Sequence, residues 1–169
     1  MAKPFDAATG KPLDTTAHQP PDAAVHTPPP PSPYSCPSAQ PDMHDARVIG
    51  VVSGSAAAPR IAYLKAEAVM PAAQVAMTGA VAAVEVFRFA ARCEEQRCAQ
   101  FAGGRCSLGQ RLVDGLDPVV GSLPPCTIRA TCRWFAEQGA AACLRCPQVV
   151  TLIPQGKDRL SRAAALPAG

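Results

Sequence analysis

Aromatic residues make up only 5% of this 169-residue chain and charged residues 17%, and none of its three histidines lies beyond His44. Each scarcity excludes something. With few aromatics, the 48% apolar content is mostly alanine and valine, which bury little area apiece. Without histidine, Ser–His pairs or acidic pairs at recognisable spacing, hydrolysis or general-base catalysis has no visible machinery. An enzyme stays open only through a metal acting as Lewis acid. A net charge of +3 is too mild to argue for nucleic acid or an anionic membrane surface. The longest uncharged stretch, Ala68 to Val84, is interrupted by Pro71, Gln74, Thr78 and Gly79 and is too short and weak for a membrane span. The first 30 residues hold no apolar h-region, so no secretory signal is expected and the cytoplasm is the expected compartment.

What is abundant is unevenly placed. Eleven of the 19 prolines fall before Asp42, among them Pro28-Pro29-Pro30-Pro31. That composition predicts a disordered, polyproline-II-prone arm over residues 1–41, since it offers too little apolar surface to offset ordering entropy. Seven of the 8 cysteines lie between Cys93 and Cys146, about 13% of that stretch, above the roughly 8–10% that marks a stapled scaffold.

Between these regions the pattern predicts a small sheet. Arg47–Val52 is β-branched and bounded by Ser53-Gly54-Ser55. Arg60–Glu67 is its hairpin partner, and Glu85–Phe89 alternates as a third strand with Val86 and Ala90 on one side. A short helix is expected over Pro71–Thr78. From Ser107, an expected N-cap, the period turns helical with Leu108, Leu112, Val113 and Leu116 on one stripe. Asp117-Pro118 is expected to restart a helix. Residues 132–142 predict another helix around Trp134 and Phe135, residues 148–153 an edge strand, and residues 154–169 a flexible tail. The expected architecture is α+β: a small three-stranded sheet followed by a helical Cys-rich metal-binding half, within one domain over residues 42–153.

The chemistry lies in Cys93-x4-Cys98-x7-Cys106 and Cys126-x5-Cys132-x10-Cys143-x2-Cys146-Pro147. Each stretch places a phenylalanine (Phe101, Phe135) three residues after its middle cysteine, which suggests a doubled pattern. In a reducing compartment such a cluster points first to metal or redox chemistry. Thiolates from separate segments suit an iron–sulfur cluster, and proline after a final cysteine occurs in ferredoxin-like binding runs. Zinc is the rival. It usually takes paired Cys-x2–4-Cys knuckles, of which there is only one Cys-x2-Cys here. All seven cysteines are candidate ligands; if only four ligate, the set is Cys126, Cys132, Cys143 and Cys146. Cys36 is a candidate eighth. Disulfides and inert buried thiols are the remaining alternatives. Arg129, Arg133 and Arg145 are placed to offset thiolate charge, and Glu94 and Glu95 are candidates for completing the three-cysteine half or for capping a helix.

The segments Ser35-Cys36-Pro37-Ser38-Ala39-Gln40, Val48–Val52, Arg60–Lys65, Glu85–Ala91 and Cys132-Arg133-Trp134-Phe135 through Cys143-Leu144-Arg145-Cys146-Pro147-Gln148-Val149-Val150-Thr151 resemble a group of short uncharacterised bacterial proteins, some labelled nitrogen fixation protein. The resemblance covers residues 35 to about 151. It implies that Cys36 stands near the start of the domain and that residues 1–34 are an extension, and it implies no catalytic role. The expected function is iron–sulfur cluster binding in electron transfer or redox sensing with a protein redox or regulatory partner. The alternative is a zinc-stabilised interaction adaptor.

Overall fold

The β-branched run Val48-Ile49-Gly50-Val51-Val52 forms the middle of an antiparallel sheet. In the computed structural model, which describes residues 30–55, 58–75 and 81–150, it belongs to β2 (Arg47–Ser55). On one side β2 pairs with β5 (Phe87–Arg92), which in turn pairs with β1 (Ser35–Ala39). Its other partners are β3 (Ala58–Tyr63) and the two-residue β4 (Met70–Pro71). A Cβ on Gly50 would fall 2.6 Å from Ile61 Cγ2 and 3.0 Å from the Ala62 carbonyl, so glycine is what lets β3 approach here. A four-residue helix α1 (Ala83–Val86) leads into β5, with the Glu85 carboxylate accepting the Ala82 amide at 3.2 Å.

Both faces of the sheet are covered. Val48, Phe89, Ala91 and Ala39 meet Ala46, Ala72 and Val84 on one face. Ile49 and Ala90 meet Leu112, Leu116, Ile128, Trp134, Ala142 and Val149 on the other. Burial on both sides explains why the strands read as nearly continuous apolar runs.

The helical half follows a small hairpin of β6 (Phe101–Ala102) and β7 (Arg105–Cys106). Helix α2 (Ser107–Gly115) buries Leu112, as its stripe predicts. Gly109 is buried against Trp134, because a Cβ there would lie 2.9 Å from the indole Cδ1. The expected helix over 132–142 forms in two pieces, α3 (Arg133–Gln138) and α4 (Ala140–Cys143). They break at Gly139, whose φ of 58° and ψ of −145° are close to glycine-only territory.

Several expectations need correction. The sheet has five strands, not three. Ser35–Ala39, assigned by composition to the arm, is a largely buried strand, so ordered structure begins before residue 42. Ser107 is the first residue of α2, not its N-cap; its hydroxyl donates to the Gln100 carbonyl at 2.8 Å. No helix restarts at Asp117-Pro118. The backbone there is held by tertiary bonds: Arg145 Nε donates to the Leu116 carbonyl at 2.6 Å, Gln148 to Asp117 at 2.7 Å, and the Val119 amide to Leu144 at 2.9 Å. In place of the expected Pro71–Thr78 helix, Ala72–Gln74 is a single 3₁₀ turn, and residues 76–80 lie outside the described residues. Cys146–Gln148 is likewise a 3₁₀ turn where an edge strand was expected to begin. Residues 1–29 and 151–169, the bulk of the expected arm and all of the tail, also lie outside the described residues.

Candidate functional site

Four cysteines from four separate turns line one cavity between the sheet and the helices. Cys126 precedes the 3₁₀ turn Arg129–Thr131, and Cys132 occupies the N-cap position of α3. Cys143 ends α4, and Cys146 opens the turn Cys146–Gln148. With Pro37, Ile49, Tyr63, Pro124, Arg129, Trp134 and Ala142 they line a small pocket that is partly open to solvent. Beyond the break at Gly139, Cys143 lies near Cys146 and Cys126.

The electrostatics of this cavity come from its depth. Burial pushes the Cys132 thiol up to about 12, although the amides of Phe135 and Trp134 pull the other way. Burial also raises the Cys126 thiol, with the Ile128 amide opposing and Cys146 reinforcing it. Cys143 is raised by burial too, and Arg129 draws it back down. The Tyr63 hydroxyl donates to Cys146 Sγ at 3.1 Å, and burial holds the phenol well above its ordinary range. Each sulfur of this set therefore has an N–H, an O–H or a guanidinium directed at it.

The remaining cysteines do not line this cavity. Cys36 sits in β1 opposite Ala91, and the Cys93 amide donates to the Tyr34 carbonyl at 2.8 Å, so β1 and the end of β5 carry Cys36 and Cys93 side by side. Burial pushes the Cys36 thiol to about 12, with Cys93 and Cys106 each adding to the rise and Arg88 opposing it. Cys106 is raised by burial against the amides of Gly109 and Leu108 and the indole of Trp134. Cys98 closes the turn Glu95–Arg97, and its sulfur accepts the Gln100 amide at 3.4 Å. All eight cysteines are free thiols. Of the seven candidate ligands, Cys126, Cys132, Cys143 and Cys146 line the cavity, Cys93 and Cys106 lie within electrostatic reach of Cys36, and Cys98 stands apart at the end of its own turn. Among the described residues, no three His, Cys, Asp or Glu side chains are set to hold a single metal ion.

Two buried arginines and the half-buried Arg129 lie among these thiols, and one of the three is not legible in the sequence. Arg88 looks like the polar member of an alternating strand, yet it is 1% exposed. It donates to the Val149 carbonyl and stacks 5.6 Å from the Trp134 ring centre, leaving Nε and Nη2 without partners. Arg133, 6% exposed, pairs with Glu95 and with Glu137 at 3.3 Å, lies 4.1 Å from the Tyr34 ring, and is within electrostatic reach of Cys93. Its Nε is unpartnered, as is that of Arg129, whose Nη2 donates to the Pro124 carbonyl. Among the described residues no carboxylate pairs with Arg88 or Arg129. The third arginine expected to offset thiolate charge, Arg145, instead ties down the carbonyls of Leu116 and Ala141. The expected roles of Glu94 and Glu95 also change: Glu94 pairs with Arg97 at 2.8 Å and Glu95 with Arg133.

Neither a family model, nor a curated protein, nor a solved structure matches this chain. Among the described residues no helix is long and apolar enough to cross a membrane.

Proposed function

We propose that the protein binds an iron–sulfur cluster through Cys126, Cys132, Cys143 and Cys146 and serves in electron transfer or redox sensing with a protein redox partner in the reducing cytoplasm. The observation that carries this reading is the convergence of these four thiols on one cavity. A single zinc ion asks for four sulfurs about 3.8 Å apart around a point. The choice of a cluster over zinc is supported by the sequence, which holds only one of the paired Cys-x2–4-Cys knuckles that structural zinc usually takes. The surroundings fit an anionic guest as well. Thiolate-ligated clusters carry net negative charge, and the unpartnered Nε of Arg129 supplies a buried donor beside Cys126 and Cys143. Tyr63 donates to Cys146, and the amides of Ile128, Trp134 and Phe135 face the other sulfurs; donors to ligand sulfur raise a cluster's potential. The bound group would exchange single electrons with flavin- or iron–sulfur-class partners while its four Cys ligands stay in place.

Anaerobic reconstitution with ferrous iron and sulfide tests this. The expected product is brown, absorbs broadly near about 400 nm, and loses that absorbance on reduction with dithionite. A colourless protein that holds stoichiometric zinc and takes up no sulfide refutes it.

A further inference from the structure

We propose that Cys143 and Cys146 form a reversible disulfide in the metal-free protein, a redox lock on the cavity that is set by a thiol–disulfide couple of the glutathione class. The disulfide stands on the geometry of one turn. Its consequence for loading rests on the reading above, because the bond withdraws two of the four proposed ligands.

A turn of fixed shape joins the two cysteines. Cys143 ends α4 and Cys146 opens the following 3₁₀ turn. Between them Leu144 has φ −69° and ψ −16°, and Arg145 has φ −105° and ψ −25°. These are the central residues of a type I turn, which holds its first and fourth Cα within about 7 Å. A disulfide bridges Cα atoms about 4.4–6.8 Å apart, so the backbone already brings the pair into bridging range. Both side chains line the same pocket. The turn is also pinned: the Arg145 amide donates to the Ala142 carbonyl at 3.1 Å, and its Nη1 to the Ala141 carbonyl at 2.9 Å. Cys126 and Cys132 line the pocket too, but they come from other turns, and no short turn ties either of them to this pair.

Exposure gives the two sulfurs unequal roles. Cys146 is half-buried in a pocket partly open to solvent, whereas Cys143 is buried. Cys146 is therefore the sulfur that a small disulfide reaches. Its thiolate attacks one sulfur of oxidised glutathione, the glutathione S–S bond breaks, and one reduced glutathione leaves with a proton. The Cys143 thiolate then attacks Cys146 Sγ, the mixed disulfide breaks, and a second reduced glutathione leaves. The protein has lost two electrons and two protons, and one oxidised glutathione has become two reduced ones. The Tyr63 hydroxyl, 3.1 Å from Cys146 Sγ, is a donor for the charge that passes through that sulfur. In a reducing compartment such a bond is transient and serves sensing rather than structure.

Non-reducing peptide mapping of the metal-free full chain reads the bond directly. Trypsin cleaves after Arg129, Arg133 and Arg145, so the four cavity cysteines fall in four different peptides. After the native protein is equilibrated with oxidised and reduced glutathione, then acid-quenched and alkylated, the expected product is Trp134–Arg145 joined to Cys146–Lys157. Two of the eight thiols should be lost and both restored by dithiothreitol. C143S and C146S should each abolish the linked pair, and C126S should retain it. An unaltered chain that keeps all eight thiols, or that links another pair in the cavity, overturns the bond. The native chain should form it at a glutathione redox ratio at least about tenfold more reducing than the urea-unfolded chain, since the turn is preorganised; equal ratios overturn the role of the turn. Iron uptake separates this proposal from the cluster itself. The reduced protein should take up iron and sulfide, and the oxidised protein none until dithiothreitol is added. Equal uptake by both forms overturns the lock. No uptake by either form overturns the cluster reading and with it the lock on loading, while the peptide map, which needs no metal, still decides the disulfide.

Discussion

Replacing Arg88 with methionine should have opposite effects on the metal-free and the loaded protein. In the metal-free state a guanidinium that is 1% exposed keeps Nε and Nη2 unsatisfied and has no carboxylate partner among the described residues. Burying a charge in this way costs several kcal/mol after relaxation. Methionine of similar length removes that penalty. It also forfeits the bond to the Val149 carbonyl, about 1–3 kcal/mol for a buried acceptor left alone, and the stacking on Trp134, about 0.5–2 kcal/mol. The balance is near zero or stabilising by up to about 2 kcal/mol, which is at most roughly a 10 °C rise in Tm for a domain of this size. A cluster bound as proposed would put negative charge beside Trp134 and Tyr63, both neighbours of Arg88, so R88M should then lose stability and lower the reduction potential. The assay is thermal unfolding of wild type and R88M, each apo and reconstituted, under anaerobic conditions. A drop in apo Tm beyond about 10 °C, equivalent to a loss of more than about 2 kcal/mol, would mean that Arg88 is already compensated, and the argument from its orphaned nitrogens would fail.

Other consequences are more local. The Cys132 thiol is raised to about 12 when folded but ionises near 9 when unfolded, so the unfolded chain holds fewer protons above pH 9 and apo stability should fall there. The slope is up to about 1.4 kcal/mol per pH unit from this group up to its folded pKa, measurable by urea melts at pH 8–11, and C132S should flatten it. Gly139→Ala meets no steric neighbour but must hold φ at 58°, so it should destabilise by about 1–3 kcal/mol and reduce iron uptake at the Cys143 side; full uptake with wild-type Tm would refute the role given to the break. Gly109→Ala drives a methyl to 2.9 Å from the Trp134 ring and should cost about 1–3 kcal/mol, with a shift in the emission of the chain's single tryptophan. Tyr63→Phe removes the donor 3.1 Å from Cys146 Sγ and should lower the loaded protein's potential while leaving its iron content intact.

Much of the helical half is legible because its signals are local. The stripe of Leu108, Leu112 and Leu116 forecasts α2 and the side it buries, and Gly139 already looks out of place in a helix over 132–142. Cys126, Cys132, Cys143 and Cys146, which the spacing singles out if only four cysteines ligate, line one pocket. What is not legible depends on partners remote in sequence. Ser35–Ala39 has a proline-rich context, and only pairing with β5 makes it a strand. Leu116 to Val120 has helical spacing, but Arg145 and Gln148 claim its carbonyls. Cys36 can be grouped with Cys93 only once β1 is known to lie beside β5.

Arg88 shows why the site is harder to read than the fold. An alternating strand assigns its polar residues to solvent, and that inference assumes one wet face. Here the helices cover the face that Arg88 shares with Ala90, so a residue that looks solvated lies against Trp134. The same covering denies the cysteines water and raises Cys36, Cys106, Cys126, Cys132 and Cys143 above an ordinary thiol. Neutral thiols and unanswered guanidinium groups are each unfavourable companions in a dry interior. If the protein binds the proposed cluster, exchanging the thiol protons for iron would resolve both at once, since it would turn the cavity sulfurs into anions beside Arg129. Proton release on loading is the measurable sign of that exchange. In weakly buffered solution it should approach one proton for each ligating cysteine, and a loading reaction that releases none would break the link between the thiols and the arginines.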